Sequence, residues 1–147
     1  MLWIAASQKA VYQSEVDLKQ SEHLLAEINE KDLIKEPFVA MYYYAYQLVQ
    51  TPNDDHIFKK YKTFLIDHAN RFEAEEIQAL YLAAINHCVR KGNEGHVSFF
   101  LEAFTLYKEG LKNELLLNNG KLSRFTYHNI VAAGLYCDDF DWTQQFI

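Results

Sequence analysis

An all-α fold built from antiparallel helical hairpins is what this 147-residue chain predicts, and three observations carry the prediction. Only two prolines and five glycines interrupt it, too few for a turn-rich β fold. Apolar residues recur at helical spacing in one segment after another. The segments are joined by short connections, which makes consecutive helices antiparallel neighbours. With 50% hydrophobic and 15% aromatic residues, the chain is rich enough in apolar surface to bury a core in a domain of this length.

Residues 3–29 predict one long N-terminal helix, or two with a break near Gln20–Glu22. Ile4, Val11, Leu18 and Leu25 fall seven apart, with Leu24 and Ile28 widening the stripe late. Ser7, Ser14 and Ser21 stand between them, where a coiled-coil seam would need an apolar partner. Such a helix leans on a neighbour along a single line.

A second helix is expected over 37–50. Pro37 suits its first turn, because that N–H has no partner in any case. Phe38, Met41, Tyr42, Ala45, Leu48 and Val49 form the expected inward face, with Tyr43, Tyr44 and Tyr46 wrapping the other sides. Thr51 and Pro52 read as the N-cap and first residue of a third helix running to 68, with Asp54 near its positive end and Ile57, Phe58, Tyr61, Phe64 and Leu65 inside.

Asn70 and Glu73, three apart, suggest a capping box. Ile77, Leu80, Tyr81, Ala84, Ile85 and Cys88 follow in the clearest amphipathic pattern of the chain. Arg90, Lys91 and Gly92 supply cations and a left-handed cap at the helix end. The helix expected over 94–112 is apolar on two faces, Val97, Phe100, Leu101, Phe104 and Leu111 on one and Phe99, Ala103 and Leu106 on the other. Leu115–Leu117 then anchor a turn at Asn118–Gly120, Ser123 caps a further helix, and Asp138-Asp139 mark the last turn.

The elements pair as 37–68, 73–112 and 124–147, with the N-terminal helix or helices of 1–30 ahead of them. The last pair ends after about two turns of its second helix, with Trp142, Phe146 and Ile147 at helical spacing. It reads as a truncated hairpin whose second arm continues in a longer parent protein. The starts near 37 and 73 match a repeat of roughly 34 residues, and the segment 115–122 lengthens the next interval.

In this pairing the chain resembles the tetratricopeptide-like class of helical hairpin repeats, an α-solenoid. Tyr127, Ile130, Val131 and Gly134 occupy the spacing of that family's first-helix signature. Asp138-Asp139-Phe140 resembles its turn, and Phe140, Trp142 and Phe146 the opening of its second helix. The unit at 73–112 departs by placing Phe100 and Phe104 where the family prefers small residues, and Asn118–Gly120 is an insertion. The resemblance implies a right-handed superhelix segment and names no ligand. The stretch Phe125–Ile130 with its acidic turn is also similar to pentatricopeptide RNA-binding repeats, which read bases along a basic groove.

Charge argues against that second likeness. There are 14 basic and 20 acidic residues, a net charge of −6. Residues 1–52 carry 4 basic and 7 acidic, 53–92 carry 6 and 6, and 93–147 carry 4 and 7. No segment offers the basic footprint that nucleic acid requires. No apolar run approaches the ~18 residues needed to span a bilayer and no secretory pattern opens the chain, so a soluble, cytoplasmic protein is expected.

Residue chemistry points away from catalysis. His23, His56, His68, His87, His96 and His128 are scattered, with no HExxH and no Cys-x-x-Cys, so no metal site is expected. His68 and His87 suit the last turns of their helices. Cys88 and Cys137 lie in apolar stretches and read as buried free thiols of a reducing compartment. Asp54-Asp55 and Glu75-Glu76 stand at helix starts, where the dipole favours them. Gly92-Asn93-Glu94-Gly95 lacks the lysine or serine of a phosphate loop. No catalytic, metal or cofactor residue is assigned.

Tyr42, Tyr43, Tyr44 and Tyr46 cover so much of one helix that at least one must reach the surface; filling the seam between hairpins is the favoured role. The expected function is a non-enzymatic scaffold for a protein or peptide partner. An architectural spacer is the first alternative, and a helical domain of an enzyme or an RNA-binding repeat is the second.

Overall fold

The computed structural model describes Asp32 and residues 35–147. The helix or helices expected over 1–30, and His23 with them, lie outside the described residues. Among the described residues the fold is all-α, with six helices and no strand. They are α1 (Pro37–Gln50), α2 (Asp55–His68), α3 (Ala74–Asn93), α4 (Ser98–Lys112), α5 (Arg124–Tyr136) and α6 (Phe140–Phe146). A single 3-10 turn, Ala69–Arg71, follows α2. None of these helices is long and apolar enough to cross a membrane. The chain divides into two compact units, Met1–Ala83 and Ala84–Ile147, and the division falls inside α3.

In the first unit α1 and α2 pack closely against one another. The buried face of α1 is Ala40, Met41, Tyr44 and Leu48. That is rotated from the expected face, because Tyr44 enters the core against Phe64, with ring centroids 5.7 Å apart. Phe38, expected inside, is about half exposed and stacks on Phe72 at 5.8 Å. The α2 core is Phe58, Tyr61, Phe64 and Leu65, all on the predicted face, while Ile57, also expected inside, is half-buried.

The start of α2 differs from expectation. Thr51 closes α1, donating its hydroxyl to the Gln47 carbonyl at 2.7 Å. The cap of α2 is Asp54, whose carboxylate accepts from the N–H groups of His56 and Ile57. A carboxylate suits the positive helix end better than a hydroxyl already committed to the helix before it. Pro52 lies in the intervening turn.

Along α3, every residue of the predicted stripe is buried: Ile77, Leu80, Tyr81, Ala84, Ile85 and Cys88. Its entry is shifted from Asn70. Glu76 reaches back to the N–H of Glu73 at 3.4 Å, which is one arm of a capping box set three residues later. Its exit is shifted as well. The helix runs through Gly92 to Asn93, and the left-handed residue is Gly95, φ 105°. His96 N–H bonds the Lys91 carbonyl and Gly95 N–H that of Gly92, a Schellman closure. Gly92 serves a different need: a Cβ there would lie 2.6 Å from the ring of Phe100.

In the second unit α4 packs against α5, and α5 against α6. The end of α3 meets α4 through aromatic side chains, Phe99 beneath Lys91 and Phe100 over Gly92. The buried residues of α4 are Ala103, Phe104, Leu106, Tyr107 and Gly110. They merge parts of the two predicted faces into one broad face. Val97 and Leu101, expected inside, are more than half exposed. Leu116 anchors the following turn on Gly110. Asn118 and Lys121 then exchange two backbone hydrogen bonds across Asn119 and Gly120, both at positive φ. This is the backbone of a type I′ turn, which Asn-Gly adopts readily.

Candidate functional site

The most site-like assembly in the second unit is built where α4, α5 and α6 meet. Ser123 starts α5 by accepting from Thr126 N–H at 3.1 Å. Asp139 starts α6 by accepting from Trp142 N–H at 3.4 Å. Gly134 of α5 lets α6 come close: a Cβ there would overlap the side chain of Thr143, which is itself buried. Thr143 then donates to the Asp139 carbonyl at 2.7 Å.

That docking lines up a series of rings. Phe104 meets Trp142 edge-on at 5.2 Å. Trp142 stacks on Phe146 at 5.2 Å with the planes 8° apart, and Phe146 stacks on Tyr127 at 5.4 Å. Phe104 is buried, whereas Trp142, Phe146 and Tyr127 are half-buried. Lys108 lies over the Phe104 ring at 4.4 Å and near Trp142 at 5.7 Å, and donates to Asp139 at 3.1 Å. The cation beside these rings is therefore already balanced by a carboxylate. Such a surface offers aromatic faces to apolar or aromatic side chains and little excess charge to a phosphate.

Cys137 borders this assembly and is half-buried, so the expectation of a second fully buried thiol is corrected. It closes α5 as its C-cap, a position at the edge of the packed face. Burial raises its ionisation above the usual thiol range; Lys108 pulls it down and Asp138 and Asp139 push it up again. A thiol held protonated is a poor nucleophile. Cys88 is buried, as predicted.

The other singled-out residues sit apart from this place. His56, His96 and His128 are exposed on α2, in the α3–α4 turn and on α5. His68 fits its predicted place, its Nδ1 3.1 Å from the Phe64 carbonyl and its ring stacked on Phe64. His87 does not, because α3 continues past it and buries it. Its Nδ1 lies 3.1 Å from Arg90 Nη2. Guanidinium nitrogen only donates, so Nδ1 accepts and carries no proton. Among the described residues no three of His, Cys, Asp or Glu come together as a metal site.

Glu76 is occupied structurally, accepting from the Tyr42 hydroxyl at 2.9 Å. Tyr43 accepts from Gln47 at 2.6 Å, so the tyrosines of α1 are divided between the core and its rim. The sequence places Trp142 and Phe146 together in one helix and Tyr127 in another, and the stack of the three rings was missed. The i, i+4 spacing of Trp142 and Phe146 was the available signal. Lys108–Asp139 was missed entirely, since nothing local relates residues 31 apart. Comparison with protein-family models, curated proteins and solved structures finds no significant match.

Proposed function

We propose that this protein is a non-enzymatic helical-repeat scaffold that binds a protein or peptide partner. The half-open stack of Tyr127, Phe146 and Trp142 is the observation that carries the reading. Tyrosine and tryptophan are the side chains most often found as binding anchors, because they offer large rigid surface at low entropic cost. The tetratricopeptide-like reading is supported by the paired helices and by the close seating of α6 on Gly134, where that family's signature has a small residue. Repeats of this kind stack to bury their faces and leave extended surfaces for partners.

The test is affinity capture with the full chain, run beside Tyr127→Ala and Phe146→Ala variants of unchanged far-UV circular dichroism. A reproducible partner that both variants lose supports the scaffold. Recovery of no reproducible partner, or one indifferent to both changes, favours an architectural spacer.

A further inference from the structure

The outward face of α5 is unlike a solvated helix surface. Between Arg124 and Tyr136 no residue after Arg124 is charged. The exposed positions Phe125, His128, Ala132, Leu135 and Tyr136 share one side of the helix, and the three large ones among them are 47%, 50% and 56% exposed. A helix apolar around most of its circumference is normally covered on more than one side. The opposite side is already covered, with Ile130 and Gly134 buried.

We propose that this face binds a second copy of the chain, with the two α5 helices antiparallel about a two-fold axis near Val131. Charge selects that occupant. Arg124 is exposed at one end of the helix and Asp138 just beyond the other. An antiparallel pair sets each Arg124 against the Asp138 end of its mate, while a parallel pair would set Arg124 against Arg124. Size agrees with charge. In the antiparallel register Phe125 faces Tyr136, and the small Ala132 lies near the axis where the backbones approach closest. A symmetric contact brings each central residue near its own copy, so a chain of net charge −6 needs an uncharged centre to self-associate. This inference stands apart from the aromatic stack and does not depend on any partner there.

One helical face of 13 residues is about 20 Å long and covers less than the roughly 800 Å² per partner of a standard interface. The dimer is therefore weak and concentration-dependent. Sedimentation equilibrium on the full chain, from micromolar to millimolar, should show the mass rising from one chain towards two. Ala132→Glu, or Leu135→Lys as a second exposed change, should return it to one chain with unaltered circular dichroism. Arg124→Asp should weaken association at least several-fold, and adding Asp138→Lys should restore it. A single-chain mass throughout, or association that both Ala132→Glu and Leu135→Lys leave intact, overturns the proposal. Failure of the double charge exchange to restore association overturns the antiparallel arrangement.

Discussion

Phe104 concentrates more of the second unit's packing than any local feature of its sequence announces. It is buried, its ring meets that of Trp142 edge-on at 5.2 Å, and Lys108 lies over the same ring at 4.4 Å. Removing the ring leaves a cavity between α4 and α6 and strips both neighbours of a contact. Phe104→Ala should therefore cost ~3–5 kcal/mol, the usual range for deleting a buried aromatic. Urea denaturation followed by circular dichroism measures it, and a loss under ~1 kcal/mol would mean the site collapses around the gap. The Lys108–Asp139 pair beside it is more than a third exposed on both sides and adds little by comparison.

At the scale of elements, three successive helices close in the same way with unequal residues. Each of α3, α4 and α5 ends in a Schellman pair of hydrogen bonds: His96 and Gly95 close the first, Leu115 and Glu114 the second, Asp139 and Asp138 the third. The left-handed residue is glycine at Gly95, but Glu114 holds φ 57° and Asp138 φ 58°. A side chain in that region clashes with its own backbone, and the exposed Glu114 has no burial to offset the strain. Glu114→Gly should raise stability by about 0.5–1 kcal/mol, the relief of strain outweighing the extra freedom of the unfolded chain. A lower thermal midpoint than the parent would show that the glutamate side chain supplies something glycine cannot.

These closures also show where the sequence was legible. The stripe from Ile77 to Cys88 was readable because burial alone decides it. Ser123, Asp139 and the Asn119-Gly120 turn were readable because each acts within a few residues. The start of α2 and the end of α3 were not, since the choice of Asp54 over Thr51 and Gly95 over Gly92 depends on which groups a neighbouring element has already used. Gly92 looked like a cap in the sequence, yet it is a seat for Phe100, a residue the sequence places in the next helix. The α1 face was misjudged for the same reason, because Tyr44 finds Phe64 only after α2 has folded back.

At the scale of the molecule, each unit holds a buried phenol whose ionisation is strongly raised, and their shared chemistry sets how stability depends on pH. Tyr61, in the first unit, is fully buried and donates to the Leu80 carbonyl at 2.8 Å. Tyr107, in the second, is buried beside Asn129 and Cys88. Burial raises the ionisation of both well above the ordinary phenol value of 10.0, with Asn129 partly opposing the rise at Tyr107. The folded state thus keeps these protons when the unfolded state gives them up. Stability from this source is complete below pH ~10 and is lost as pH climbs beyond it, by up to about 1.4 kcal/mol per pH unit for each group. Denaturation midpoints should hold between about pH 7 and 9 and fall steeply above 10. Tyr61→Phe should lower stability at neutral pH by about 0.5–1.5 kcal/mol through the lost hydrogen bond, while making the alkaline fall shallower. Tyr107→Phe should flatten it likewise, and the double variant more than either. An alkaline slope unchanged in the double variant would assign the loss to groups other than these two phenols.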